Sequence, residues 1–226
     1  MNRLNSRLKT VFDLIEGGAR VADIGTDHAF LPIALVKSGK AEKVIACDIR
    51  EKPLENARKN LERLKISSVD LRLSDGLEAV TPNEADTFVI AGMGGEVISG
   101  ILSRCDYIKN SVYSLVLQPM TGADYLRKFL YENGFEIIKE IAAEDNSKLY
   151  TVISARFCGE IKACDDVFYI HGKLNPQNPT DLLYLKKQQR ILQKCVNDLE
   201  GNDQMQESYL KNLELLKQLT LYIEVN

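Results

Sequence analysis

The chain contains no apolar run approaching the roughly 18–20 residues that cross a membrane. Its opening segment, MNRLNSRLKTVFDLIEGG, has neither the apolar core nor the small-residue cleavage site of a secretory signal, and reads instead as a basic amphipathic helix. Both absences point to a cytosolic, cytoplasmic protein with no membrane partner. Histidine is scarce, with only His28 and His171, and the five cysteines (Cys47, Cys105, Cys158, Cys164 and Cys195) include no CxxC pair. A zinc site is therefore not expected, and an odd, scattered cysteine count in a reducing compartment argues against a disulfide framework. There are no internal repeats and no low-complexity tract. A general excess of positive charge is also missing, since the net charge is −3.

The basic residues that are present cluster. Residues 182–197, LLYLKKQQRILQKCVN, carry Lys186, Lys187, Arg190 and Lys194 without one acid, and the first helix adds Arg3, Arg7 and Lys9. Local patches matter more than the total for binding a polyanion, although charge alone is equally compatible with a solvated helix face.

With 226 residues the chain can hold one full-sized domain and an appendage. Short apolar runs at 20–25, 43–48, 69–74, 87–91, 113–118, 135–140 and 149–157 read as strands, and helical patterns at 30–38, 52–65, 95–104 and 122–133 lie between the first six. The first five runs are almost wholly apolar, as in strands buried on both faces, and strand–helix alternation implies a parallel sheet with helices on both sides. The last two runs, joined through AAEDNSK, have no room for a crossover helix and should form an antiparallel hairpin. This combination suggests the α/β, Rossmann-like sheet of a class I methyltransferase rather than a pure dinucleotide-binding fold.

Beyond about residue 158 the pattern changes. Residues 160–180 read as an irregular connector. Then Leu182, Leu185, Gln189, Leu192, Val196 and Leu199 follow one seam, and Tyr209, Leu213, Leu216, Thr220 and Ile223 follow another. Two such helices joined by EGNDQ make an antiparallel, coiled-coil-like α-helical hairpin, with Gln189 and Thr220 diluting the seam. The expected division is thus residues 1–159 and residues 160–226.

The stretch VADIGTDHAFLP, residues 21–32, begins as a dinucleotide-binding turn and then departs from it, because position 27 is Asp where that fingerprint requires glycine. A nicotinamide-dependent oxidoreductase is disfavoured. In open α/β sheets the ligand lies at the carboxyl ends of the strands. There the chain offers Asp23 and Gly25, then Asp48, then Asp75 and Gly76, then Ala91-Gly92-Met93-Gly94, then Gln118. The set suits S-adenosylmethionine. Gly25 clears the turn, Asp48 can take the ribose hydroxyls, Asp75 the adenine amino group, and Met93 can pack on the adenine face. A cofactor without pyrophosphate leaves Asp27 and His28 free to face the methyl group and the acceptor. Other readings stay open at single positions: Asp27 as an N-cap of the next helix, Asp75 as a turn cap, and AGMGG as plain turn geometry.

ADIGTDHAFLP, IAGMGGEVI and LVLQP together resemble the bacterial tRNA adenine-N1 methyltransferases that act at adenosine 22, and the resemblance runs over essentially the whole chain. It implies an enzyme that moves a methyl group from S-adenosylmethionine to N1 of a tRNA adenosine. It also implies Asp27, His28 and Gln118 at the acceptor, and Arg3, Arg7, Lys186, Lys187, Arg190 and Lys194 on RNA phosphates. The chain would be a monomer or weak homodimer. Two positions differ from the family pattern: Met120 stands where Asn follows Gln-Pro, and Asp48 where Glu is frequent. The alternatives are a class I methyltransferase with a protein or metabolite acceptor, and a non-catalytic RNA-binding protein that keeps the fold.

Overall fold

A computed structural model describes residues 4–225. Among them, helix α1 (Ser6–Leu14) precedes β1 (Val21–Ile24), α2 (Phe30–Lys37), β2 (Val44–Asp48), α3 (Glu51–Leu64), β3 (Val69–Leu73), β4 (Thr87–Met93), α4 (Gly95–Ser103), β5 (Ser114–Pro119), α5 (Ala123–Glu132), β6 (Phe135–Asp145) and β7 (Lys148–Phe157). Three further helices follow: α6 (Asp166–His171), α7 (Pro179–Leu199) and α8 (Gln206–Val225). The seven strands form one sheet in the order β3-β2-β1-β4-β5-β7-β6. β1 to β5 pair in parallel, and β7 inserts antiparallel between β5 and β6. This is the Rossmann-like methyltransferase sheet expected above. The strand order reverses between β1 and β4, which opens a crevice at their carboxyl ends.

Alternation along the strands divides the core into two layers. Phe88, Ile90, Leu115 and Leu117 face one side and pack with Ile98, Leu102, Leu126 and Leu130 of α4 and α5. Val89 and Val116 face the other, with Val11, Leu31, Leu35 and Leu61 from α1, α2 and α3. β1, β2, β4 and β5 are thereby covered on both faces, which is why their residues read as continuous apolar runs, whereas the edge strand β3, with Asp70, Arg72 and an exposed Leu73, buries only Val69.

Two details differ from the sequence reading. The last hairpin is longer than expected, since both strands continue to a tight turn at Asn146 and Ser147, where φ is +49° and +60°. The connector is also partly ordered as α6, which supplies Tyr169 to the core.

The helical pair closes around Tyr184, Leu185, Leu192, Val196, Leu216 and Leu219, and the same cluster takes in Leu174 and Ala142 of β6. The two polar seam residues meet each other, Gln189 Nε2 donating to Thr220 Oγ1 over 2.8 Å. Asp181 at the start of α7 accepts from the β6 amide of Ala142 (2.7 Å), anchoring the helix to the sheet. Among the described residues no helix is long and apolar enough to span a membrane.

Candidate active site

The β1 turn is built on bare backbone. The amides of Gly25 and Thr26 both donate to Cys47 O on β2, at 2.8 and 2.7 Å. Gly25 has φ +81°, and a Cβ there would lie 2.1 Å from Met93 Cε. Met93 thus lies across the turn, and the left-handed φ is what favours glycine there. Beneath, Asp23 is buried, and burial raises its carboxyl to about 6, partly offset by a hydrogen bond with Thr26.

His28 and Ala29 both take left-handed φ, +60° and +54°. Such conformations cost on the order of 1–3 kcal/mol each in non-glycine residues and concentrate at functional turns. Here they delay helix α2 until Phe30, with Ala29 at the N-cap and no side-chain capping bond. Asp27 therefore caps nothing. Its side chain is 64% exposed, and its Oδ1 lies 3.4 Å from His28 Nε2. The carboxylate and imidazole stand together just past the carboxyl end of β1.

Asp48 is buried at the end of β2, where its Oδ1 accepts from the Arg50 amide at 2.8 Å. One oxygen is thereby fixed and the carboxylate oriented. At the end of β3, Asp75 is engaged: Arg104 Nη2 donates to its Oδ1 at 2.9 Å. Sequence gave no sign of this partner 29 residues away. Gly76 has φ +59°, and a Cβ would lie 2.9 Å from Ile101 of α4, so its bareness serves packing as well as the turn.

The segments after β4 and β5 are braced together. Met120 N donates to Met93 O (2.7 Å), and Gly95 N to Thr121 O (2.8 Å). A Cβ on Gly95 would lie 2.0 Å from Gly122 O, so the last glycine of AGMGG is a packing requirement. Ala91, Gly92 and Met93 carry a bulge in the β4–β5 register, with Gly92 at φ +84°. Gly92 N donates to Gln118 Oε1 at 3.0 Å, while Gln118 Nε2 donates to Pro119 O at 2.8 Å.

Gln118 is wholly buried, so the expectation that it faces the acceptor base is corrected: it holds the two turns in place from below. Met120, 40% exposed, is the residue of that segment that reaches the surface. Arg7 is a second correction. It was expected on RNA phosphates, but its Nη1 donates to Gln118 Oε1 and it is half-buried. Burial lowers its pKa, with Asp145 and Tyr150 opposing. Arg3 lies outside the described residues. Lys186, Lys187, Arg190 and Lys194 are all exposed on α7. Lys187 Nζ donates to Leu149 O (3.2 Å). It also borders a cavity of about 230 Å³ that reaches Pro119 and Met120, which connects the basic helix to the end of β5.

The donor set suits an adenosyl cofactor. Two glycine backbones at positive φ, an oriented carboxylate at the end of β2 and a methionine across the β1 turn all lie at the carboxyl ends of the neighbouring strands β1, β2 and β4. Among the described residues no cluster of His, Cys, Asp and Glu could hold a metal ion.

The sequence profile of a family described as "Methyltransferase domain" matches residues 4–153. A Bacillus subtilis tRNA (adenine(22)-N(1))-methyltransferase is 34% identical over 96% of this chain and 97% of its own length. The crystal structure of the B. subtilis M1A22 tRNA methyltransferase superposes with a TM-score of 0.87 at 29% identity, covering 99% of this chain and all of that one. A Streptococcus pneumoniae protein in complex with S-adenosyl-L-methionine gives 0.83 at 30% identity, over 96% and 99%.

Proposed function

The chain belongs to the methyltransferase family that includes the bacterial tRNA (adenine(22)-N(1))-methyltransferases, and from this premise we propose that it transfers a methyl group from S-adenosylmethionine to N1 of a tRNA adenosine, at position 22. The observation that carries the reading is 34% identity to such an enzyme along 96% of the chain. A tRNA substrate also implies the cytoplasm.

S-adenosylmethionine supplies the methyl group; Asp48, the turn at Gly25, Gly92 and Met93 would hold it. Adenine N1 carries an available lone pair, so no strong base is needed, and the task is to align N1 with the methyl group. The product base carries the positive charge. Asp27, exposed beside His28, is the carboxylate placed to stabilise that charge or to accept from the exocyclic amine. Gln118 and Arg7 act indirectly by fixing the backbone of the two turns. The target base must leave its stack to reach this edge. Residues 160–226 form the appendage, whose exposed cations on α7 would lie along RNA phosphates. The seam of the helical pair is filled within the chain, which supports a monomer.

The test is transfer of labelled methyl from S-adenosylmethionine to bulk bacterial tRNA, followed by nucleoside analysis. Labelled 1-methyladenosine is expected. Cofactor binding without label on tRNA would overturn the assignment and favour another acceptor.

A further inference from the structure

Outside the strand-end site lies a groove of about 550 Å³ between α1, α2 and α3. Its floor is apolar and partly aromatic, from Phe12, Phe30 and Ile33, and its rim carries Lys9, Lys37 and Arg63 with no carboxylate among the lining residues. Lys9 is paired along its own helix with Asp13, which leaves Lys37 and Arg63 as the exposed cations of the opposite wall. The volume is in the range, about 300–1,000 Å³, of pockets that hold small-molecule ligands.

The groove is continuous with the acceptor edge. The Phe30 ring stacks on His28, with centroids 5.2 Å apart and planes 13° from parallel. Asn60, also in the groove wall, donates from Nδ2 to His28 O at 3.0 Å and accepts from Arg63 Nη2 at 3.2 Å. One side chain thus joins the strained turn that carries Asp27 and His28 to a cation of the rim.

We propose that this groove binds an unpaired nucleotide of the RNA substrate neighbouring the methylated adenosine, its base against the Phe30 and Phe12 side and its phosphate between Lys37 and Arg63. The proposal rests on the tRNA methyltransferase reading above. Aromatic faces with flanking cations and no acid are what a splayed-out nucleotide requires. Helix α1 takes part through its groove-facing side and not through Arg7.

The experiment compares steady-state methylation of bulk bacterial tRNA by the full chain and three variants. K37E/R63E reverses two exposed charges, Phe30→Leu keeps an apolar side chain but removes the stacking face, and Ala34→Trp fills the groove without altering charge. The expected result is a KM for tRNA raised about tenfold in K37E/R63E and about fivefold in the other two, with kcat within about twofold in K37E/R63E and Ala34→Trp, while Phe30→Leu, which also loses its stack on His28, is read by KM alone. Affinity for S-adenosylmethionine and the melting temperature should not move. The dependence of KM on salt should become shallower in K37E/R63E alone. If K37E/R63E acts but Phe30→Leu and Ala34→Trp do not, the groove is empty in the complex and the proposal fails. Unchanged KM in all three, with wild-type protein methylating tRNA, overturns the groove and spares the function. No transfer to tRNA by wild-type protein overturns both.

Discussion

Arg7, on the first helix, donates from Nη1 to the side-chain oxygen of Gln118, a buried amide 111 residues later at the end of β5. The same oxygen accepts from Gly92 N, so the first helix, the β4 turn and the β5 turn share one acceptor. Replacing Arg7 with Ala should loosen the two turns that would frame cofactor and base. We expect kcat to fall about ten- to a hundredfold, as small misplacements do when catalysis depends on alignment. The slope of log affinity for tRNA against log salt should stay unchanged. A slope shallower by about 0.7–0.9 would place Arg7 on a phosphate instead.

Asp27 makes a different prediction, because it supports no structure. It caps no helix and is exposed. Asp27→Ala should leave the melting temperature and S-adenosylmethionine affinity within error while kcat drops about a hundredfold or more, the usual scale for losing one electrostatic stabiliser. Full activity in this variant would remove Asp27 from the mechanism.

Asp23 should give the protein a pH signature. Its folded carboxyl, raised by burial to about 6 from 3.8, holds its proton more tightly than in the unfolded chain. The contribution to stability is therefore fully present below about 3.8 and is lost as pH rises through about 6. The loss is on the order of 3 kcal/mol at neutral pH. Asp23→Asn should thus raise the melting temperature at pH 7.5 and flatten its dependence between pH 4 and 6. A cationic ligand held near the carboxylate favours the ionised form, so S-adenosylmethionine should bind more weakly as pH falls below about 6. Calorimetric titrations of both proteins across that range check the pair of effects. A steep pH dependence retained by Asp23→Asn would assign it to another group.

Much of this architecture was legible in the sequence because it follows from local rules. Strands buried on both faces read as apolar runs, and a glycine at positive φ marks Gly25 and the AGMGG turn. The acids at strand ends sit where the sheet's topology puts ligands. What was not legible are side-chain relationships across long separations. Nothing near Gln118 signals that its amide points into the protein, nothing near Asp75 announces Arg104, and Arg7 looked like any exposed cation of a basic helix. Gln189 and Thr220 read as two separate weak points of a seam, although each satisfies the other. Charge and spacing identify candidates, but only packing decides which of them are spent holding the fold.

Arg127 and Glu140 are the largest such expenditure. Their side chains are 1% and 0% exposed and bond at 2.7 Å. Arg127 Nη1 also donates to the carbonyls of Tyr169 (2.6 Å) and Ile170 (3.0 Å), while Glu140 accepts from Thr151 Oγ1 (2.6 Å) and Lys173 N (2.9 Å). The pair thus joins α5, β6 and β7 to α6, the start of the segment that carries the basic helix. Removing one member strands the other, at a cost of about 3–5 kcal/mol. For a chain of this length that is a fall in melting temperature of roughly 6–20 °C. Buried ion pairs can often be replaced by apolar residues without loss, but here two carbonyls, a hydroxyl and an amide would lose their partners as well. R127M/E140L should therefore melt no higher than R127M alone, and thermal denaturation of the single and double variants decides the matter. A double variant restored to the wild-type melting temperature would show that the surrounding backbone finds other partners, and that the pair does not tie the appendage to the sheet.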